Sequence, residues 1–74
     1  MTEKIKEVNV DELLGILVSL TDNIPNLGSI EYHGLVEKRK GLYVIADPER
    51  GDIGLGNGDD VNTGKEVLRI RYPR

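Results

Sequence analysis

The sequence contains no cysteine, no phenylalanine and no tryptophan, and three tyrosines are its only aromatic residues. Without cysteine the chain can form neither a disulfide nor a thiolate metal site, and cysteine-based catalysis is excluded. Without Phe or Trp the core must be built from Leu, Ile and Val. A chain of 74 residues makes one domain and buries only roughly 60 % of the surface that its unfolded form exposes. Domains this small often lean on disulfides, a metal or self-association. With disulfides excluded, a homo-oligomer is the support that stays open.

Long hydrophobic runs are missing too. The longest apolar stretch, Leu13 to Leu20, is interrupted by Gly15 and Ser19, well short of the ~20 residues that span a bilayer. The opening MTEKIKEVNV is polar and charged where a secretory signal would be apolar. The expectation is a cytoplasmic protein with no membrane partner.

Positive charge is outweighed overall, with ten Lys and Arg against thirteen acids and a net charge of −3. Residues 1–37 carry two lysines against seven acids, a balance of −5, whereas residues 38–74 carry eight cations against six acids, a balance of +2. A net-acidic chain opposes indiscriminate nucleic-acid binding, because contacts to phosphate need clustered cations. A local basic patch on the second half remains compatible with this balance.

Among the patterns that are present, Val8 to Leu20 supports two readings. Val10, Leu13, Leu14, Leu17 and Leu20 form a stripe at helical spacing, with Asn9 as a cap and Asp11 and Glu12 in the first turn. Alternatively, Leu14, Ile16, Val18 and Leu20 alternate as in a strand, and Gly15 disfavours a helix. A compromise places a short helix over Val10–Leu14 and a strand over Ile16–Thr21. The continuous helix is preferred.

Asp22 to Gly28 reads as a loop around Pro25. Ile30, Tyr32 and Val36 then alternate with Glu31, His33 and Glu37, and Leu42 to Asp47 forms a second strand, apolar on both faces. The charged segment Glu37 to Gly41 joins them as a β-hairpin with its tip near Arg39 and Lys40. After Asp47-Pro48, residues 49–64 are rich in Gly and Asp, with a short strand around Ile53–Leu55 and a tight turn at Asn57-Gly58. Glu66 to Tyr72 is a half-exposed strand with Leu68, Ile70 and Tyr72 facing inward. The expected fold class is α+β: one N-terminal helix packed on a small antiparallel sheet or a partly open small β-barrel.

The candidate motifs are few. The glycines from Gly51 to Gly58 lack the helix that a dinucleotide fingerprint must open, and no Gly-Lys-Ser/Thr follows them. They read as structural turns. Asp59, Asp60 and Asn62 offer hard oxygen ligands for Ca²⁺. The EF-hand pattern fails, because Arg71 or Thr63 stands where its bidentate Glu belongs. Arg50-Gly51-Asp52 spells an integrin-recognition tripeptide and reads as chance. His33, the single histidine, has no nucleophile or second ligand in any recognisable motif, so no catalytic residue and no cofactor is assigned. Lys38, Arg39 and Lys40, with Arg69, Arg71 and Arg74, form the most suggestive set. Beside Tyr43 they would suit single-stranded nucleic acid, which is gripped by cations and exposed aromatics. The same charges equally keep a hairpin soluble and guard an edge strand.

The succession of Val10–Leu14, Ile16–Thr21, Glu31 to Val36, Leu42 to Asp47 and Val67 to Arg71 resembles the Sm-like small β-barrel domains. In that family a Gly-x-Leu/Val strand precedes an Asn-Leu-x-Leu-x-Asp strand, and an Ile-Arg-Gly turn follows. Gly34-Leu35-Val36, Leu42 to Asp47 and Ile70-Arg71 hold the matching places. Gly41 stands where the RNA-contacting Asn would be, and Tyr72 replaces the Gly after Arg. The resemblance implies ring assembly and RNA binding, with both nucleotide-contact motifs altered. Weighed together, the residues lead to a small non-catalytic binding or adaptor domain acting through protein contacts. A nucleic-acid-binding barrel is the alternative, and a divalent-cation binder the third reading.

Overall fold

The computed structural model describes residues 5–73. Among these the chain is nearly all sheet: β1 (Lys6–Asn9), a 3₁₀ turn (Val10–Leu13), β2 (Leu17–Ile24), β3 (Gly28–Arg39), β4 (Leu42–Asp47), β5 (Gly51–Gly54), β6 (Asp60–Asn62) and β7 (Val67–Arg71). The strands form one mixed sheet in the order β1-β7-β6-β2-β3-β4-β5. All neighbours are antiparallel except β1 and β7, which run parallel with Val8 beside Ile70.

The expected α+β class, with its N-terminal helix, is therefore corrected. The apolar stripe splits where Gly15 takes φ 81°, a left-handed conformation that glycine adopts freely and that ends any helix. Val10 and Leu13, one 3₁₀ repeat apart, are buried together. Past Gly15 the period changes to two, which buries Val18 and leaves Leu17 exposed. Main-chain bonds fix this switch: Gly15 N–H donates to the Val36 carbonyl and Val36 N–H to the Ile16 carbonyl, at 2.8 and 3.0 Å. Asn9 gives no side-chain cap.

The expected hairpin is present as β3 and β4, with Arg39 opposite Leu42 and a tight Lys40-Gly41 turn, both residues at positive φ. The expected loop at Asp22–Gly28 shrinks to a turn over residues 25–27, because β2 runs on to Ile24. The short strand of the Gly/Asp segment is β5. Two strands were not anticipated: β6 and the N-terminal β1. The last strand is not an edge, since β1 flanks it.

Four strand spacings separate β7 from β4 in the sheet order, roughly 19 Å if the sheet were flat. Yet the ring of Tyr43 on β4 meets that of Tyr72, just past β7, edge to face at 5.6 Å. The sheet must therefore coil back on itself. Within the coil lies one core, with Ile45, Ile70, Val10, Val18, Val36 and Val61 fully buried. The coil also forces close approaches. A Cβ on Gly34 would run into the carbonyl of Ala46, so only glycine lets β3 lie this close to the end of β4.

Candidate functional site

The predicted basic set falls into two groups in the sheet order, Lys38, Arg39 and Lys40 at the β3–β4 turn and Arg69 and Arg71 on β7, with β6 and β2 between them. The coil that brings Tyr43 against Tyr72 draws β4 and the end of β7 toward each other. Arg74 lies outside the described residues. The arginines have carboxylate partners: Arg39 bonds Glu37 and Asp52 at 3.0 and 2.9 Å, Arg69 bonds Asp60 at 2.9 Å, and Arg71 bonds Glu7 at 2.6 Å. The bond and charge of Arg71 hold the Glu7 carboxyl below its ordinary range, and those of Asp60 hold Arg69 above its own. Tyr43 is buried, with its hydroxyl donating to Asp11. The Lys38 ammonium sits 5.1 Å from its ring centroid and Tyr72 meets it edge to face, so this buried ring is unlike the exposed platforms that stack bases.

The acidic loop residues serve as ties. Asp59 accepts the Gly56 N–H at 2.7 Å, Asn62 accepts the Gly64 N–H at 2.7 Å, and Asp60 is committed to Arg69. Among the described residues no group of three His, Asp or Glu side chains is placed to hold a metal ion.

A different region carries the features of a binding surface. On the convex face of the sheet, Leu17 and Leu35 stand directly opposite each other across β2 and β3. They are 56 % and 44 % exposed, and Leu14 and Ile16, just upstream, are each 43 % exposed. Large apolar side chains grouped on a surface mark interaction sites more often than isolated ones do. Beside them opens a groove of about 440 Å³, lined by Leu17, Glu31 and His33 on one side and by Asp47, Pro48, Glu49 and Arg50 on the other.

The chain builds this groove through a mismatch in strand length. β3 has twelve residues and β4 six, and β4 follows β3 only from Arg39 to Leu35. At Asp47-Pro48 the chain turns away, because proline cannot donate to a continuing ladder. Asp47 organises the exit: its carboxylate accepts N–H bonds from His33, Glu49 and Arg50 at 2.9, 2.8 and 3.0 Å. The His33 bond, then those of Arg50 and Glu49, hold its pKa below the ordinary value, although its burial opposes this.

Within the groove His33 lies directly opposite Ser19. Their side chains form no hydrogen bond among the described residues, so the pair lacks the contact that activates a nucleophile. The sequence reading placed Leu17 inside a helical stripe and so missed this surface. The available signal was the strand reading of the same segment, in which Leu14, Ile16, Val18 and Leu20 share one face and Leu17 falls on the other. Protein-family models, curated proteins and solved structures return no match to this chain.

Proposed function

We propose that this chain is a non-catalytic binding domain that works through protein contacts. The observation that carries the reading is the exposed Leu17–Leu35 pair at the mouth of a groove rimmed by charged side chains. An apolar centre with a polar rim is the anatomy of a protein interface. Self-association falls within this reading, since a small core gains from a second copy. RNA binding, implied by the Sm-like resemblance, has less support, because the arginines it would use already face carboxylates.

A photo-reactive amino acid in place of Leu17, in cells that make the full chain, tests the proposal. Discrete protein adducts are expected from position 17 and not from Lys65, an exposed site in the β6–β7 connection. The adducts should vanish when Leu35→Asp is added. Equal labelling from both positions, or none from position 17, would overturn the reading.

A further inference from the structure

The groove is bordered by an open strand edge. Within β3, Val36 directs its N–H and C=O toward the segment before β2, so Leu35 directs its own toward β4, as alternation along a strand requires. Continuing that alternation, His33, Glu31 and Ser29 also point to the β4 side. But β4 has left by then: its pairing ends with Leu35 opposite Ala46. The His33 N–H is met by the Asp47 carboxylate in place of a strand. Among the described residues nothing pairs with the main chain of Ser29 and Glu31 on that side. Six residues, Gly28 to His33, thus present roughly 20 Å of sheet edge that borders the groove.

Open edges of this kind accept an added strand. The side chains around this one select its chemistry. Glu31 projects on the convex face at the centre of the edge, and Glu49 stands across the groove, where Arg50 is the one Lys or Arg among the described lining residues. Opposite charges on directly paired residues favour association, and like charges oppose it. Resting on the protein-contact reading above, we propose that the groove takes an extended, lysine- or arginine-bearing segment of a partner protein as an added strand beside β3, in the place that β4 vacates. Its main chain bonds Ser29 and Glu31, with the His33 N–H left on Asp47, and a cationic side chain faces Glu31.

The test uses the isotopically labelled full chain and three short synthetic peptides. One alternates lysine with valine, one alternates glutamate with valine, and one is the lysine peptide with alternate amides methylated. The lysine peptide is expected to shift the amides of Ser29, Glu31 and His33 and to slow exchange of the Glu31 N–H. Glu31→Lys should weaken it about fivefold while leaving the spectrum folded. The methylated and acidic peptides should not bind. Equal binding of the methylated or acidic peptide would overturn the proposal, and so would unmoved edge amides with the lysine peptide. Shifts confined to Leu14, Ile16, Leu17 and Leu35 would overturn strand addition while leaving the protein-contact reading intact. Edge shifts on concentrating the protein alone would assign the edge to a second copy and overturn the basic partner.

Discussion

The carboxylate of Asp47 accepts the backbone N–H of His33 at 2.9 Å, standing where a carbonyl of β4 would stand had the strand continued. One side chain thereby ends β4, shapes the turn through Glu49 and Arg50, and satisfies one donor of an edge that is otherwise open. The groove and the edge both depend on this substitution of a carboxylate for a strand.

That dependence gives a prediction in pH. The Asp47 carboxyl titrates below its ordinary value of 3.8 in the folded chain. A group whose folded pKa is depressed contributes stability that is whole above its unfolded pKa and fades as pH falls through the folded one. Stability measured by urea unfolding should therefore hold from neutral down to about pH 4 and fall below it. Glu7, depressed by Arg71, adds to the same slope. Asp47→Asn should be less stable at neutral pH, with the gap to the parent closing in strong acid. A gap that widens on acidification would reject the assignment.

Gly34 marks the second constraint. Any side chain there meets the main chain of Ala46 and Asp47, and backbone cannot swing aside as a flexible side chain can. Gly34→Ala should destabilise by on the order of 3 kcal/mol, the upper range for overpacking. Gly54 has open space around the corresponding position, and Gly54→Ala should change stability by under ~1 kcal/mol. Equal effects in thermal unfolding would mean that β3 does not approach the end of β4 as closely as described.

Much of the strand content was legible in the sequence, because β3 and β7 carry alternation that sidedness explains and β4 is a short apolar run buried on both faces. Leu68 and Ile70 face in, and Arg69 and Arg71 face out. The N-terminal segment misled because Val10 and Leu13 satisfy a helical and a 3₁₀ spacing alike, and only the conformation of Gly15 decides between them. β1 was hidden for a different reason: four residues with a single half-buried Val8 carry no period, and their pairing with β7 is set by a contact across the length of the chain. The groove was legible only in its parts. Pro48 announced the end of β4, but the open edge arises from how much longer β3 is than its partner.

The contrast between Leu17 and Ile45 separates surface from core. Ile45 is fully buried, and Ile45→Ala should remove about 2–5 kcal/mol, a large share of the stability of so small a domain. Leu17→Ala and Leu35→Ala should each stay within about 0.5 kcal/mol of the parent by denaturant unfolding. If the two leucine variants lose as much as Ile45→Ala, the patch is core, and the protein-contact reading loses its carrier.

The basic residues give the last prediction. Exposed ion pairs are weak, so the carboxylates do not lock the arginines in place. They matter because they remain beside any phosphate that approaches. Arg69 is flanked by Asp60 and acted on by Glu7, Arg71 by Glu7, and Arg39 by Glu37 and Asp52. Each of these three arginines therefore presents little net field to a polyanion, and counterion release has few arginine sites on which to act. Single-stranded RNA, followed by fluorescence anisotropy at ~50 mM salt, should bind no tighter than ~100 μM. Arg69→Ala and Arg71→Ala should leave that value unchanged, and the salt dependence should be shallow. By contrast, Asp60→Asn with Glu7→Gln should strengthen binding and steepen its salt dependence, because the double change unmasks both arginines. Micromolar binding by the parent chain, lost in the arginine variants, would show that phosphate displaces the carboxylates and would return the basic strand to the centre of the functional question.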